Sequence, residues 1–109
     1  MKLRITSKQL RFRLSEQEAQ LLLKEKSLAE TLYLPVGQKL DYLIKISDQY
    51  QPMHLDYDNH ALTLTLPVEH LESLIKNPSK EGLSASYIEQ DKNILFSLEI
   101  ELPTSMCQH

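Results

Sequence analysis

MKLRITSKQLRFRLS (residues 1–15) and MHLDYDNHALTLTLP (residues 53–67) decide the fold, because the second stretch repeats the pattern of the first. In both, apolar residues alternate with polar residues, which is typical of half-buried β-strands, and a short turn separates two such strands. Ungapped alignment at an offset of 52 matches identical residues: Met1 with Met53, Leu3 with Leu55, Leu10 with Leu62, and Leu14 with Leu66. The sequence therefore predicts a tandem duplication.

Each predicted unit continues into a helix and a second pair of strands. Ser15 followed by Glu18 forms the pattern of a capping box and predicts a helix over 16–26. In the second unit, Pro67 suits the first position of the corresponding helix. The remaining strands are predicted over 30–35, 39–47, 82–88 and 93–101.

The fold class predicted from these elements is α+β, with two β-β-α-β-β units. We expect a mainly antiparallel sheet, either open and curved or barrel-like, with two helices on one side, because each element has one apolar face to bury. A single domain spans 1–109 and contains repeats of about 1–52 and 53–104, followed by a short tail, 105–109.

The amino-acid composition excludes several classes of protein. The single cysteine, Cys107, excludes an internal disulfide and fits a reducing compartment. Two glycines leave no Gly-rich phosphate loop, and the longest aliphatic run, residues 21–23, is too short for a signal peptide or a membrane span. We therefore expect a cytoplasmic protein without a membrane contact.

The two halves of the chain carry opposite charge. Residues 1–52 contain nine Lys and Arg and six Asp and Glu, a net of +3, whereas residues 53–109 contain three and nine, a net of −6. Three interpretations remain open. The first hairpins of the halves lie close together, so that Arg4 meets Asp56; a basic face and an acidic face recognise different partners; or the charges are a solvated surface.

The strongest basic patch consists of Lys2, Arg4, Arg11 and Arg13, which share one face of the first hairpin. Arginines of this kind are suited to phosphate recognition, and these four residues are the candidate binding residues. Nucleic acid is disfavoured as a partner, because the net charge is −3 and no aromatic residue joins this face to stack on bases. The alternative is a solvated face.

The most metal-like stretch contains His54, Asp56, Asp58 and His60. Two imidazoles and two carboxylates are donors that zinc or a similar ion accepts. The same residues are also the ordinary polar face of a strand that enters a turn, and we predict no cofactor.

Two leucines interrupt the polar face of the last strands of each unit. Leu43 and Leu95 align with each other, and an equivalent apolar pair is a candidate interface of a homodimer or the wall of a small pocket. Glu99 and Glu101 share a strand face and have the spacing of an acid–base pair, although neighbouring acidic residues are common on exposed strands.

No nucleophile motif or catalytic residue emerges from the sequence, since no Ser lies in a G-x-S-x-G turn. We predict a small non-enzymatic binding or protein-interaction module that acts through its polar sheet face, with an unidentified protein partner. The alternative is an enzyme, or a protein that binds a metal or phosphate ligand in the concavity of the sheet.

The opening segments 1–5 and 10–15, followed by Glu18, resemble the opening of a family of small uncharacterised bacterial proteins of unknown function. Members of that family tend to end in a Glu-Lys-Asp-Phe-x-Cys-Leu type motif. Here the last residues, 99–109, keep acidic residues and a cysteine but lack that motif, so no role of the tail is carried over. The resemblance implies a bacterial cytosolic origin and supplies no activity or ligand.

Overall fold

The computed structural model describes residues 1–49, 51–77 and 82–101. Within these residues the chain forms eight strands and two helices. In chain order they are β1 (Lys2–Thr6), β2 (Gln9–Leu14), α1 (Glu16–Glu25), β3 (Ser27–Tyr33), β4 (Lys39–Ser47), β5 (His54–Asp58), β6 (Ala61–Pro67), α2 (Val68–Lys76), β7 (Leu83–Glu89) and β8 (Lys92–Ile100).

The strands of the described residues form two open four-stranded sheets. Sheet A has the order β1-β2-β8-β7, and sheet B has the order β3-β4-β6-β5. Strands joined by a turn are antiparallel, whereas the central pairs, β2 with β8 and β4 with β6, are parallel. The predicted α+β class is confirmed, with antiparallel pairs in the majority. The expectation of one sheet or a barrel is wrong, because the strands divide between two sheets that do not close.

Each helix carries the chain from one sheet to the other. Helix α1 connects β2 of sheet A to β3 of sheet B, and α2 connects β6 of sheet B to β7 of sheet A. The parallel neighbours β2 and β8 are thus connected through α1, sheet B and α2, whereas the parallel neighbours β4 and β6 are connected through β5 of the same sheet. The sequence pattern did not predict this crossing, because periodicity indicates which residues are buried but not which strands are neighbours.

One hydrophobic cluster unites the two sheets and the two helices. Because its members touch one another, the helices face a core that both sheets share, rather than one side of a single sheet. The most buried members of the cluster are Phe12, Leu14, Phe96 and Leu98 from sheet A, Ile44, Leu64 and Leu66 from sheet B, Ala19 and Leu22 from α1, and Leu71 and Leu74 from α2.

The predicted capping box begins α1. The Glu18 N–H donates to Ser15 Oγ at 3.1 Å, and the Ser15 N–H donates to Glu18 Oε1 at 2.9 Å. Helix α2 begins at Val68, with Pro67 as its N-cap rather than its first helical residue. No helix in the described part of the chain is long and apolar enough to cross a bilayer.

In the first hairpin of each half, the strand pairing agrees with the predicted offset of 52 residues. Lys2 pairs with Arg13 in β1–β2, and His54 pairs with Thr65 in β5–β6, so both strands correspond at an offset of 52. The strand orders agree as well. If each strand is replaced by its counterpart in the other half, the order of sheet A becomes the order of sheet B.

The offset changes in the last strands. Gln9 of β2 pairs with Leu95 of β8, whereas Ala61 of β6 pairs with Asp41 of β4, so β4 and β8 correspond at an offset of 54. The alignment of Leu43 with Leu95 as equivalent positions is therefore wrong, because Asp41 occupies the place that corresponds to Leu95. A net gain of two residues between α2 and β8 accounts for this shift, since β3 and β7 correspond at an offset of 55 and the turn after β7 is one residue shorter. An ungapped alignment does not detect such changes.

The turn between β3 and β4 exposes apolar side chains. Val36 is 93% exposed and Tyr33 is 81% exposed. Val36 also has a φ of 62°, in the left-handed region that β-branched residues rarely adopt. The apolar residues of this hairpin end therefore contribute nothing to the core.

We expect Gly82→Ala to destabilise the fold more than Gly37→Ala. Both glycines have positive φ, which costs an alanine about 1–2 kcal/mol. A methyl group on Gly82 would also overlap the carbonyl of Leu98, whereas one on Gly37 would meet open space. Urea unfolding should show an additional loss of at least about 1 kcal/mol for Gly82→Ala. Equal losses in both variants would contradict the close approach of Gly82 to β8.

Candidate anion-binding face

The four predicted basic residues lie together on the side of sheet A that faces away from the core. Lys2 lies beside Arg13, and Arg4 lies beside Arg11, in the antiparallel pairing of β1 with β2. Their sequence neighbours alternate to the other side, where Phe12 is fully buried. We call this surface, defined by the four basic residues, the basic face. Like charges that lie side by side repel, so the face requires compensation.

Glu99 supplies part of that compensation. The parallel pairing of β2 with β8 places Glu99 beside Arg13. Arg11 donates to Glu99 Oε2 from Nε at 2.9 Å and from Nη2 at 2.5 Å. Arg13 donates to Oε1 from Nε at 3.3 Å and from Nη2 at 3.1 Å. The two guanidinium groups therefore hold one carboxylate between them, and its side chain is only 8% exposed.

The two arginines keep this buried carboxylate ionised. Burial by itself raises the pKa of the Glu99 carboxyl group, but the hydrogen bonds and charges of Arg11 and Arg13 outweigh burial and hold the pKa below its ordinary value. In return, Glu99 fixes the orientation of both guanidinium groups, because each donates two N–H groups to a single oxygen.

Arg4 remains without an ion pair or hydrogen bond among the described residues. Lys2, by contrast, donates from Nζ to Glu101 Oε1 at 2.9 Å. The basic face with Glu99 and Glu101 thus combines four positive and two negative side chains, and the described part of the chain leaves two positive charges uncompensated.

Ser97 provides a second unsatisfied group on the same side of sheet A. It lies between Arg11 of β2 and Ser84 of β7 in the strand register. Ser97 is only 6% exposed, and its Oγ has no hydrogen-bond partner among the described residues. Buried hydroxyl groups normally have a partner, so this one requires an explanation.

Two shallow depressions meet at Arg11. The first, of about 190 Å³, is the basic depression, and its lining residues are Lys2, Leu3, Arg4, Arg11 and Arg13. The second, of about 420 Å³, is the neutral depression, and its lining residues are Gln9, Arg11, Ser84, Leu95, Phe96, Ser97 and Glu99. Because Arg11 belongs to both, one ligand can contact both depressions.

The four candidate metal ligands belong to β5 of sheet B and to the turn after it, and they are not grouped around a common point. His54 Nε2 lies 3.4 Å from Asp56 Oδ2 on β5, and His60 lies in the following turn with a φ of 63°. In residues 1–49, 51–77 and 82–101, no three His, Cys, Asp or Glu side chains are arranged to hold an ion. Asp58 ends β5. Cys107 lies outside the described residues.

The two candidate interface leucines lie on different sheets. Leu95 is 46% exposed and lines the neutral depression, whereas Leu43 is half-buried between Ala29 and Thr63 on sheet B. Their role in a homodimer stays a prediction.

The interpretation in which Arg4 meets Asp56, one of the three left open, is wrong. Arg4 belongs to β1 of sheet A and Asp56 to β5 of sheet B, where Asp56 contacts His54. The clamp on Glu99 was missed, although a signal existed in the sequence. Arg11 and Arg13 alternate on β2 as Glu99 and Glu101 alternate on β8, which suits two strands that lie side by side.

We expect Glu99→Gln to lower the free energy of unfolding by about 1–3 kcal/mol at neutral pH, because two guanidinium groups lose their shared anion. The pKa of Glu99 is lowered by folding, so its ionisation stabilises the protein above the unfolded pKa. That stabilisation is lost as pH falls through the folded pKa. Urea titrations across the acid range should therefore show a shallower pH dependence in Glu99→Gln.

Glu101→Gln is the matched control, since it removes a more exposed partner of Lys2 and should cost less than about 1 kcal/mol. An equal loss of stability in the two variants would count against the clamp.

Replacement of Ser97 by alanine should leave stability unchanged or raise it by up to about 1 kcal/mol, because the buried hydroxyl has no bond to lose. Ser15→Ala is the comparison, since that hydroxyl caps α1 and its loss should cost about 0.5–2 kcal/mol. Thermal unfolding of both variants distinguishes them. Destabilisation of Ser97→Ala beyond about 1 kcal/mol would mean that the hydroxyl is bonded in the free protein.

Comparison with known proteins identifies one family. No curated protein and no solved structure matches the chain. The family matches residues 1–102, which includes all three described ranges. Its description assigns no activity, and the resemblance found in the opening segments to a family of unknown function is confirmed. The chain belongs to the family of unknown function DUF7009.

Proposed function

We propose that this protein is a small non-enzymatic binding module that recognises an anionic group through the basic face. The observation that carries the proposal is Arg4, which has no ion pair among the described residues although it lies directly beside Arg11. Glu99 contacts only Arg11 and Arg13, so the positive charge of Arg4 beside Arg11 is repulsive, and a further anion relieves that repulsion. A bound anion supplies the missing charge.

Pre-orientation of the donors supports binding at this place. Arg11 and Arg13 are held by Glu99, so an anion that approaches them does not have to immobilise two long side chains. Immobilisation of a flexible side chain opposes binding, and a fixed guanidinium group avoids that cost. Glu99 is therefore a positioning residue, and Arg4 is the residue expected to move onto the ligand.

The groups on this face favour binding over catalysis. Glu99 is held ionised by two arginines, which makes it a poor proton donor and occupies both of its oxygens. Histidine and cysteine are absent from the residues that line the two depressions in the described part of the chain. The chemistry that remains is recognition by guanidinium, ammonium, hydroxyl and amide groups.

A tandem duplication accounts for the architecture, and we propose it as the origin of the chain. Two observations support it. The hairpins β1–β2 and β5–β6 correspond at an offset of 52 residues, and each sheet has the strand order of the other when every strand is replaced by its counterpart in the other half. The halves have diverged in charge, since His54 and Thr65 stand where Lys2 and Arg13 stand in sheet A. Under this proposal only one of two related sheets became an anion-binding surface.

The test is titration of the protein with inorganic phosphate, succinate and a hexaglutamate peptide at low ionic strength, followed by backbone amide NMR. At least one probe should shift resonances of β1, β2 and β8 and not those of β5. Arg4→Glu should weaken that binding by about tenfold or more.

Lys45→Glu is the control, because Lys45 is exposed on sheet B and the variant changes the net charge by the same amount. Absence of binding by every probe would refute the proposal, as would equal losses in the two variants.

A further inference from the structure

We infer that the ligand of the basic face is a small molecule that carries a phosphomonoester group, with its phosphate in the basic depression and a hydroxylated body in the neutral depression. This inference rests on the proposed function and assigns the chemistry of its ligand. It is built on charge, donor geometry and the unsatisfied hydroxyl of Ser97.

The charge of the face matches a dianion better than a single carboxylate. Among the described residues, Lys2, Arg4, Arg11 and Arg13 pair only with Glu99 and Glu101, which leaves two positive charges. A phosphomonoester carries about −1.5 to −2 at neutral pH, whereas a carboxylate carries one negative charge. The phosphate therefore neutralises the face without an excess of either sign.

The free donors suit a tetrahedral group with three terminal oxygens. Each arginine has five N–H donors, and Arg11 and Arg13 each direct Nε and Nη2 to Glu99. Their remaining donors and all donors of Arg4 have no partner among the described residues, and all three arginines line the basic depression. Planar guanidinium groups at different positions on β1 and β2 can each contact a different phosphate oxygen.

The neutral depression indicates what the phosphate is attached to. Gln9, Ser84 and Ser97 offer amide and hydroxyl groups there, and exposed Leu95 offers an apolar contact. The Ser97 hydroxyl is more than nine-tenths buried and unpartnered within the described residues. Because its Oγ is closed to solvent in the free protein, a ligand hydroxyl in the depression satisfies it after a local rearrangement of the neighbouring side chains. Polar groups of this kind recognise an uncharged hydroxylated body.

A nucleobase is a poor fit to this body. The aromatic rings of sheet A alternate to the core side, where Tyr87 and Phe96 pack with centroids 6.0 Å apart. Phe96 also lines the neutral depression, but it is only 3% exposed and offers little ring surface for stacking. A volume of about 420 Å³ lies within the range of small-molecule sites, which favours a compact ligand over an extended polymer.

The experiment compares glycerol 2-phosphate, inorganic phosphate, succinate and a phosphoserine hexapeptide by calorimetry and amide NMR. We expect glycerol 2-phosphate to bind at least tenfold more tightly than succinate and more tightly than inorganic phosphate. Ser97→Ala should reduce affinity for glycerol 2-phosphate about threefold or more and leave affinity for inorganic phosphate unchanged. Ser86→Ala, on the same side of sheet A and absent from both linings, should change neither affinity.

The possible results separate this inference from the proposed function. Succinate that binds as tightly as the phosphates and requires Arg4 would overturn the phosphate assignment and keep the anion site. Tighter binding of the phosphoserine peptide than of glycerol 2-phosphate would overturn the small-molecule assignment, and insensitivity to Ser97→Ala would overturn the placement of the body. Absence of binding by every probe would overturn both proposals.

Discussion

The parallel pairing of β2 with β8 is the constraint on which the structure depends. On one side it places Phe12 beside Leu98 in the shared core, and on the other it places Arg13 beside Glu99. Because side chains alternate along a strand, a slip of one residue would bury the arginines and expose the core residues. The same register therefore determines both the stability of the fold and the composition of the basic face.

The clamp on Glu99 links packing to recognition. A buried carboxylate without partners would be strongly unfavourable, and two guanidinium groups without an anion would repel each other. Together Arg11, Arg13 and Glu99 satisfy each other and leave one positive charge, to which Arg4 adds another. The face is thus rigid where its donors are held by Glu99 and open where Arg4 lies, which is the combination expected of a preformed anion site.

The sequence predicts helix caps and strand alternation well, because both depend on residues that are close together in the chain. The capping box of Ser15 and Glu18, the strand over residues 39–47 and the alternation that groups Arg11 with Arg13 were all predictable. The arrangement of strands was not, since it requires knowing that α1 and α2 cross between sheets. The pairing of Glu99 with the arginines and the burial of Ser97 were therefore not predicted, because their neighbours on β2 lie more than eighty residues away in the chain.

The most direct test of the account is to observe the arginine side chains themselves. In ¹⁵N NMR of the protein without ligand, the Nε–H groups of Arg11 and Arg13 should exchange slowly with solvent, since both donate to Glu99, while that of Arg4 should exchange rapidly. Addition of glycerol 2-phosphate should slow the exchange of Arg4. Equally rapid exchange at all three arginines, with or without the phosphate, would contradict both the clamp and the anion site.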